Sequence, residues 1–409
     1  MRIIIAGAGI GGLTAALGLH AAGHDVTVFE AAPVIQPLGV GINLLPHAAR
    51  ILDSLGVLND LLAQGVATQE LAYYNGFGQR IWSEPRGRLA GYDAPQVSIP
   101  RGVLQGVLLD AVVARLGADR VVCGRRLTGF ETTATAATAL LEDVEGRSSR
   151  VEADLLVAAD GIHSRARAQR YPDEGPPVYS GRVLWRATSL AEPFLTGASM
   201  IMAGRRDQKF VCYPIGPVQA DGRQRINWIA ELSVAQALKR EDWNRPGDPA
   251  DFLPRFESWA FDWLDVPGLI RTAEAIYEFP MVDRDPLPRW TQGRVTLLGD
   301  AAHPMYPIGS NGASQAILDV EALVRALARE PDPAAALLAY EAERLPATSA
   351  IVRANRADGP EQCMQMAHER APSGFADVAE VFAPGELQAI ADSYKSLTGL
   401  RRVPQEVPA

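Results

Sequence analysis

The sequence predicts an α/β protein: a βαβ-built, parallel-sheet domain interrupted by a mixed or antiparallel β-sheet and followed by a helical C-terminus. Three observations lead there. The first thirty residues read as strand, glycine-rich turn, helix, turn and strand. Two later apolar runs each end beside a glycine and an acidic residue, as strands of the same sheet would. Between those runs the chain changes to short alternating segments rich in aromatic and turn residues.

Each element has its own reason. Ile3-Ile4-Ile5-Ala6 is a continuous apolar run, the mark of a strand buried on both faces. Leu13 to Ala22 is rich in Ala and Leu and stops at Gly23, which predicts a glycine-terminated helix. Val26-Thr27-Val28-Phe29 is β-branched and aromatic, and Glu30 ends it. Strand, helix and strand in this order form a βαβ unit with a right-handed crossover. The run from Asp154 ends at Asp160-Gly161, and the run from Arg294 ends at Gly299-Asp300. Ligands of open α/β sheets bind at that carboxyl edge. Lys209-Phe-Val-Cys-Tyr and Asn227-Trp-Ile-Ala typify the second sheet. From about residue 313 the pattern is mostly helical, with Pro346 and Pro372 as expected breaks and a polar tail after Leu400. The predicted division is therefore a discontinuous first domain (1–72, 98–175 and 276–345), a substrate-sized β domain (73–97 and 176–275) and C-terminal helices with a tail (346–409).

Composition narrows the function. With 409 residues, 47% of them hydrophobic and 21% charged, the chain is an ordinary globular protein with ample core. The net charge is −9, and basic residues occur only as scattered pairs such as Arg125–Arg126, Arg205–Arg206 and Arg401–Arg402. Nucleic acid and anionic membrane surfaces call for a concentrated basic face, so neither is an expected partner. Cys123, Cys212 and Cys363 are odd in number and far apart, which fits a reducing compartment rather than a disulfide framework. The stretch Ile3 to Leu19 is broken by five glycines and does not read as a secretory core, and no other run approaches a membrane span. A cytoplasmic protein is expected. His20 and His24 have i,i+4 spacing, but Gly23 lies between them where the helix is ending, so no metal site is expected.

The first turn carries chemistry. Gly7-Ala8-Gly9-Ile10-Gly11-Gly12 satisfies G-x-G-x-x-G with glycines at 7, 9 and 12. Gly7 permits the tight turn, Gly9 lets backbone approach a pyrophosphate, and Gly12 allows close helix–strand packing. The helix amino terminus adds free N–H groups and a positive dipole. Glu30, eighteen residues after Gly12, is placed to accept hydrogen bonds from an adenosine ribose, which disfavours a 2′-phosphate there. The cradle predicts a dinucleotide without choosing between nicotinamide and flavin.

Two later loops bear on that choice. Asp160-Gly161-Ile162-His163-Ser164-Arg165-Ala166-Arg167 sets an acid, a glycine turn and basic residues in one loop before a helix. A capped helix with a solvated salt bridge would read the same way. Gly299-Asp300-Ala301-Ala302-His303-Pro304-Met305-Tyr306-Pro307-Ile308-Gly309-Ser310-Asn311-Gly312 is more telling. Its small residues let backbone lie against a flat ring, and the helix that follows presents N–H dipoles suited to negative charge on a reduced flavin.

Together, these three motifs resemble the group A flavin-dependent aromatic monooxygenases, which include the para-hydroxybenzoate and salicylate hydroxylases. The likeness spans residues 1 to about 345. Pro37-Leu-Gly-Val-Gly-Ile-Asn, Trp82-Ser-Glu-Pro-Arg-Gly, Pro280-Met-Val-Asp-Arg-Asp-Pro-Leu-Pro and Asn311-Gly-Ala-Ser-Gln-Ala-Ile-Leu-Asp look closer still to the pyocyanin-forming phenazine hydroxylase branch. The resemblance implies a Rossmann-like FAD-binding domain of the glutathione-reductase type and non-covalent FAD. It also implies NADH or NADPH as a transient co-substrate, and O₂ that forms a flavin C4a-hydroperoxide to hydroxylate an electron-rich ring. No second nucleotide cradle is found, in keeping with transient nicotinamide binding. The length is short for the extra thioredoxin-like domain of larger relatives.

By motif, the resemblance places Gly7, Gly9 and Gly12 on the FAD pyrophosphate and Glu30 on its adenosine ribose. Asp300 would hold the ribityl chain, and Pro307, Gly309, Asn311 and Gly312 the pyrimidine edge. The segment Gly39 to Ile42, with Gly41 and Ile42, would lie beside the ring. Arg101 would lie near the FAD phosphates with Gln105 one helical turn on, although Pro100 stands where related chains often have histidine. Asp160 and Arg167 belong to the second fingerprint, implicated in both FAD and nicotinamide use.

Trp185, Tyr213, Trp228 and Tyr306 are the candidates to line a cavity for a small aromatic substrate, with ordinary core packing as the competing reading. His303 follows the flavin acid by three residues; a structural histidine is the expectation there, as for His47 and His163. Asp283 and Asp285 flank Arg284 and read as a turn with a salt bridge. No catalytic base is identified. The alternatives are another flavin oxidoreductase (oxidase, dehydrogenase or halogenase) or a non-catalytic redox sensor. Trp259 and Trp263 do not make the halogenase W-x-W-x-I-P pattern. Either a monomer or a homodimer is compatible with the sequence.

Overall fold

The computed structural model describes residues 1–36, 39–234 and 245–400. Pro37, Leu38 and the Arg401–Arg402 pair lie outside the described residues.

The first thirty residues fold as read: strand Arg2–Ala6, helix Ile10–Ala21 and strand Asp25–Phe29. These strands are parallel neighbours in a five-stranded sheet ordered Val295–Leu297, Leu155–Ala158, Arg2–Ala6, Asp25–Phe29 and Val121–Val122. Ile3, Ile4 and Ile5 are at most 3% exposed, so the continuous apolar run is covered on both sides. One cover is the helix pair Ile10–Ala21 and Gly312–Arg329. A Cβ on Gly18 would stand 2.9 Å from the Val320 Cγ1, so glycine sets how closely these helices cross. The other cover is an antiparallel sheet of Arg125–Thr132, Ala137–Asp143 and Ser148–Ala153, whose Leu127, Phe130 and Leu141 enter the same core.

The second sheet has eight strands, in the order Arg245–Pro246, Ile276–Asp283, Val178–Ala191, Gln224–Ser233, Gln208–Pro214, Ser199–Arg205, Glu70–Tyr74 and Arg80–Pro85. Only Glu70–Tyr74 against Ser199–Arg205 is parallel. Period-two alternation gives it two different faces. Trp185, Trp228, Phe210 and Cys212 point to one side and pack on Phe252, Phe256 and Trp259. Leu184, Phe279 and Met281 point to the other and meet Tyr306 and Ile308 of the long loop. Three segments cross the expected boundaries, and Glu70–Tyr74, which straddles the one at 72/73, lies wholly in the second sheet. Ile276–Asp283 pairs with Val178–Ala191, which makes it part of the second sheet. Gln96–Pro100 instead joins Gly41–Leu44 and Val66–Thr68 in a separate three-stranded sheet.

Pro346 does not break a helix. It lies within Pro333–Arg356, whose Tyr340, Arg344, Thr348 and Val352 are buried on both sides of it. Tertiary burial along this helix outweighs the one backbone hydrogen bond that proline removes. The chain breaks later, at Asp358 in the left-handed region and Gly359. Pro372 does follow a helix end, that of Gln362–Arg370. The last described helix is Glu386–Leu397.

Candidate functional site

The cradle sits at the carboxyl end of the first strand. Gly7 has φ 105°, and a Cβ there would stand 2.4 Å from the Ala159 carbonyl oxygen. A Cβ on Gly12 would stand 1.9 Å from the Gly7 oxygen, so the first turn of the helix rests directly on the loop. Gly9 differs from both: its Cβ would meet nothing within 4 Å. It caps the helix with no side-chain hydrogen bond, which leaves the first N–H groups open to a ligand. Glu30 accepts from the Ala8 N–H at 2.7 Å and the Ala32 N–H at 2.8 Å, and Gln105 donates to the Ala8 oxygen at 2.8 Å. Both therefore shape the cradle. Arg101 opens the helix Arg101–Leu116 with its side chain exposed.

Asp160 follows the neighbouring strand, its Cα 3.3 Å from where a Gly7 Cβ would be. Its Oδ2 accepts from the Arg165 N–H at 2.7 Å, while Oδ1 is buried with no partner among the described residues. Burial raises its pKa against the hydrogen bonds from Ser164 and Arg165. Arg167 departs from the expectation that it faces a cofactor. It is 1% exposed, and its guanidinium is consumed by Glu174, the Ala301 and Ala302 carbonyls and the Asp285 carbonyl. An interior cation must satisfy its donors internally, so Arg167 braces the long loop from behind.

Asp300 closes the strand Val295–Leu297; it is exposed, and no group among the described residues engages its carboxylate. The backbone beneath it is fixed by Asp319, which accepts from Gly299 N–H at 3.1 Å, His303 Nε2 at 2.6 Å and Arg344 Nε at 2.8 Å. Burial opposes ionisation of Asp319, but His303 and Arg344 outweigh it and hold its carboxyl below the usual range. His303, 3% exposed, is thus a structural partner of Asp319. Beyond Pro307, Gly309 and Ser310 both have positive φ, 66° and 58°. Asn311 is fully buried and leads into the helix Gly312–Arg329, whose first N–H groups have no side-chain cap.

The second sheet closes the site from above. The Gly41 N–H donates to Asn227 Oδ1 at 2.6 Å, and Arg186 Nη2 donates to the Gly41 oxygen at 3.0 Å. A Cβ on Gly41 would stand 2.7 Å from Asn227, so this contact requires glycine. Ile42 follows in the strand Gly41–Leu44. Burial works against the Arg186 charge, with Arg101 adding repulsion, and no carboxylate among the described residues pairs with it. Tyr213 lies beside Arg186, and burial pushes its hydroxyl up to about 12.

Of the four aromatic candidates, Tyr213 and Tyr306 stand on the side of the sheet that faces the long loop. Trp185 and Trp228 do not. Trp185 stacks on Phe252 at 4.8 Å and donates to Glu278, and Trp228 donates to Ser189 at 3.0 Å. Both are one residue out of phase with the site face, so alternation turns them into the far core. Sequence reasoning missed Arg186, Asn227 and Tyr394. Arg186 carried a signal, a lone charge inside the apolar run Val183-Leu-Trp-Arg-Ala. Tyr394 carried none: it reaches Asn311 Nδ2 at 2.8 Å and Asn355 Oδ1 at 2.7 Å from a helix more than eighty residues on.

The glycine cradle, Glu30 and the Asp300–Gly312 loop thus converge on one sheet edge, as an FAD would require. Residues 1–355 match the model of the FAD binding domain. The chain belongs to the FAD binding domain family. Within it, the chain is 49% identical over 361 residues to phenazine 1,6-dicarboxylic acid hydroxylase PhzS of Lysobacter antibioticus, covering 87% of this chain and 89% of that one. It is 33% identical over 357 residues to 3-hydroxybenzoate 6-hydroxylase 1 of Aquipseudomonas alcaligenes, with 86% of each chain covered. The crystal structure of Klebsiella pneumoniae HpxO with FAD and uric acid superposes with a TM-score of 0.74 at 25% identity, over 98% of this chain and 93% of that one. This family member is a flavin-dependent monooxygenase of the aromatic-hydroxylase kind. No helix among the described residues is long and apolar enough to cross a membrane.

Proposed function

We propose that the protein hydroxylates an aromatic or heteroaromatic acid of the phenazine-carboxylate or salicylate type, using NADH or NADPH and O₂. The observation that carries this reading is the seam where the second sheet meets the long loop. Leu184, Phe279, Met281 and Tyr306 pack into an apolar wall there, and Arg186 brings a cation that no carboxylate among the described residues neutralises. FAD bound here would supply the redox chemistry, taking electrons from reduced nicotinamide and activating oxygen.

The chain's own residues do the rest. Gly7, Gly9 and Gly12 with the open helix end hold the pyrophosphate, Glu30 the adenosine ribose, and Asp300 the ribityl hydroxyls. Arg101 and Gln105 flank the phosphates, and Gly41, Ile42, Pro307, Gly309, Asn311 and Gly312 frame the ring. The apolar wall excludes water, which would divert activated oxygen to peroxide. Arg186 and the end of the helix Gly312–Arg329 favour negative charge on a reduced ring. We further infer the domain division given above, with the strand Ile276–Asp283 counted in the second sheet, and a cytoplasmic monomer or homodimer. Three unpaired, widely spaced cysteines support that compartment.

The test is to record the visible spectrum of the purified protein. NADH and NADPH oxidation in air are then followed against phenols, salicylates and phenazine carboxylates, reading product mass and peroxide together. A flavin spectrum, substrate-stimulated oxidation and a product heavier by one oxygen atom are expected. Peroxide alone across the panel would refute the hydroxylase, and a colourless protein that does not take up FAD would refute the site.

A further inference from the structure

A small cavity borders the Gly309–Ser310 turn, and its polar lining does not balance. Three residues that line it carry a buried polar atom with no hydrogen-bond partner among the described residues: the Tyr73 hydroxyl, Arg86 Nε and Gln96 Oε1. Tyr73 and Gln96 are each 2% exposed. Buried polar groups are nearly always paired, so three orphans around one space call for an explanation. The rest of the wall mixes apolar side chains, among them the flexible Met200 and Met202, with the charged Glu84 and Lys395.

Charge points the same way. Glu84 Oε1 pairs with Arg86 Nη2 at 2.7 Å, and its other oxygen pairs with Lys395 Nζ from the helix Glu386–Leu397. Among the lining residues that sets two cations against one carboxylate; Asp392, 3.8 Å from Lys395 Nζ, lies exposed outside the cavity. The orphans are two donors, Arg86 Nε and the Tyr73 hydroxyl, and one acceptor, Gln96 Oε1. Two donors beside a surplus cation suit a carboxylate, and the acceptor suits a hydroxyl or ring N–H next to it.

We infer that this cavity recognises the carboxylate of the substrate, with Arg86 and Tyr73 as its donors, and so makes the enzyme selective for aromatic acids over the bare rings. The inference rests on the hydroxylase reading and adds to it the residues that choose the substrate. The cavity encloses about 30 Å³, room for carboxylate oxygens but not for a ring. The ring therefore lies toward Gly309 and Ser310, where Met200 and Met202 yield to it. Arg86 and Gly87 close the Trp82-Ser-Glu-Pro-Arg-Gly segment, so the selecting residue sits in a stretch no cofactor motif explains.

The experiment titrates FAD-loaded wild type, Arg86→Met and Tyr73→Phe with phenazine-1,6-dicarboxylate and with unsubstituted phenazine. It reads the perturbation of the bound flavin spectrum and, separately, the melting temperature. Wild type should bind the diacid roughly tenfold or more tightly than phenazine, and Arg86→Met should erase that preference while leaving phenazine binding unchanged. Arg86→Met breaks a buried ion pair and is expected to lower the melting temperature, so Tyr73→Phe is the decisive variant. Its hydroxyl has no partner to lose, so its melting temperature should hold or rise while the diacid binds several-fold more weakly. Unchanged diacid affinity in Tyr73→Phe and in a folded Arg86→Met would overturn the assignment. A wild type that hydroxylates phenols or phenazine but gains nothing from a carboxylate would overturn it too, leaving the hydroxylase intact. A wild type that holds FAD but oxidises nicotinamide with no aromatic would overturn the hydroxylase itself.

Discussion

Gly9→Ala separates the ligand's needs from the fold's. Gly9 has φ −72° and ψ −178°, a conformation open to any L-residue, and its Cβ would meet nothing within 4 Å. In the protein without cofactor the substitution should be neutral, or should stabilise by up to roughly 1 kcal/mol through the unfolded chain. With cofactor the same methyl group occupies the space where a pyrophosphate must touch backbone. Displacing the phosphates weakens at least two charge-assisted hydrogen bonds, each worth about 1.5–3 kcal/mol. A loss of roughly 3 kcal/mol or more corresponds to FAD binding about a hundredfold weaker. Gly12→Ala is the contrast, since its Cβ would lie 1.9 Å from a backbone oxygen and must disturb the fold itself. The assay is fluorescence titration of the apoproteins with FAD, beside their melting temperatures without it. Gly9→Ala binding FAD like wild type would refute the placement of the pyrophosphate. A large drop in its cofactor-free melting temperature would show that Gly9 serves the fold instead.

Asp300→Asn should keep the cofactor-free melting temperature, because the exposed carboxylate has no partner to lose, and should weaken FAD by roughly 1.5–3 kcal/mol in the same titration. Unchanged affinity would move the ribityl chain elsewhere. Arg167→Met removes one half of a buried pair with Glu174 and should cost about 3–5 kcal/mol in urea unfolding. A variant of wild-type stability that has lost nicotinamide binding would instead restore the cofactor-facing role implied by the family resemblance. Burial lowers the His47 imidazole to about 4, with Nε2 unpartnered. The unfolded chain takes up this proton near its ordinary 6.5, so the stability His47 confers is complete above that pH and is lost as pH falls toward 4. Between pH 7 and pH 5 the loss should be about 2 kcal/mol, and His47→Gln should show a shallower decline by that amount. Parallel stability–pH curves for the two proteins would contradict this.

The parts legible in the sequence are those whose physics is local. A βαβ unit with three glycines is written in contiguous residues, and so are the acids at two strand ends, because each strand, turn and helix start imposes its own pattern. What was hidden is what the second sheet decides. Trp185 and Tyr213 look alike as aromatic residues in β segments, yet a one-residue difference in phase sends one to the far core and the other to the site. Arg167 shows the opposite limit: its motif is unmistakable, but its guanidinium turns inward because Glu174 and three backbone carbonyls lie there. The reach of Tyr394 to Asn311 depends on how the last helix docks, which no local pattern records.

The asymmetry of the eight-stranded sheet explains how one fold serves both cofactor and substrate. Its far face is satisfied within the sheet's own surroundings, where Phe252, Phe256 and Trp259 cover Trp185, Phe210 and Trp228 in stacked and edge contacts. That burial anchors the strands without any help from the parallel domain. The near face is then free to carry residues a core would not choose: Asn227 fully buried and, among the described residues, Arg186 without a counter-ion and Tyr73 with an unpaired hydroxyl. Unmet polar groups destabilise the protein standing alone, and a ligand that meets them recovers that free energy as affinity. The far face therefore supplies the stability that lets the near face remain polar and incomplete. Weakening the far core by Phe252→Ala should accordingly lower the melting temperature with less effect on FAD affinity than Asp300→Asn, and the reverse ranking would contradict the division between the two faces.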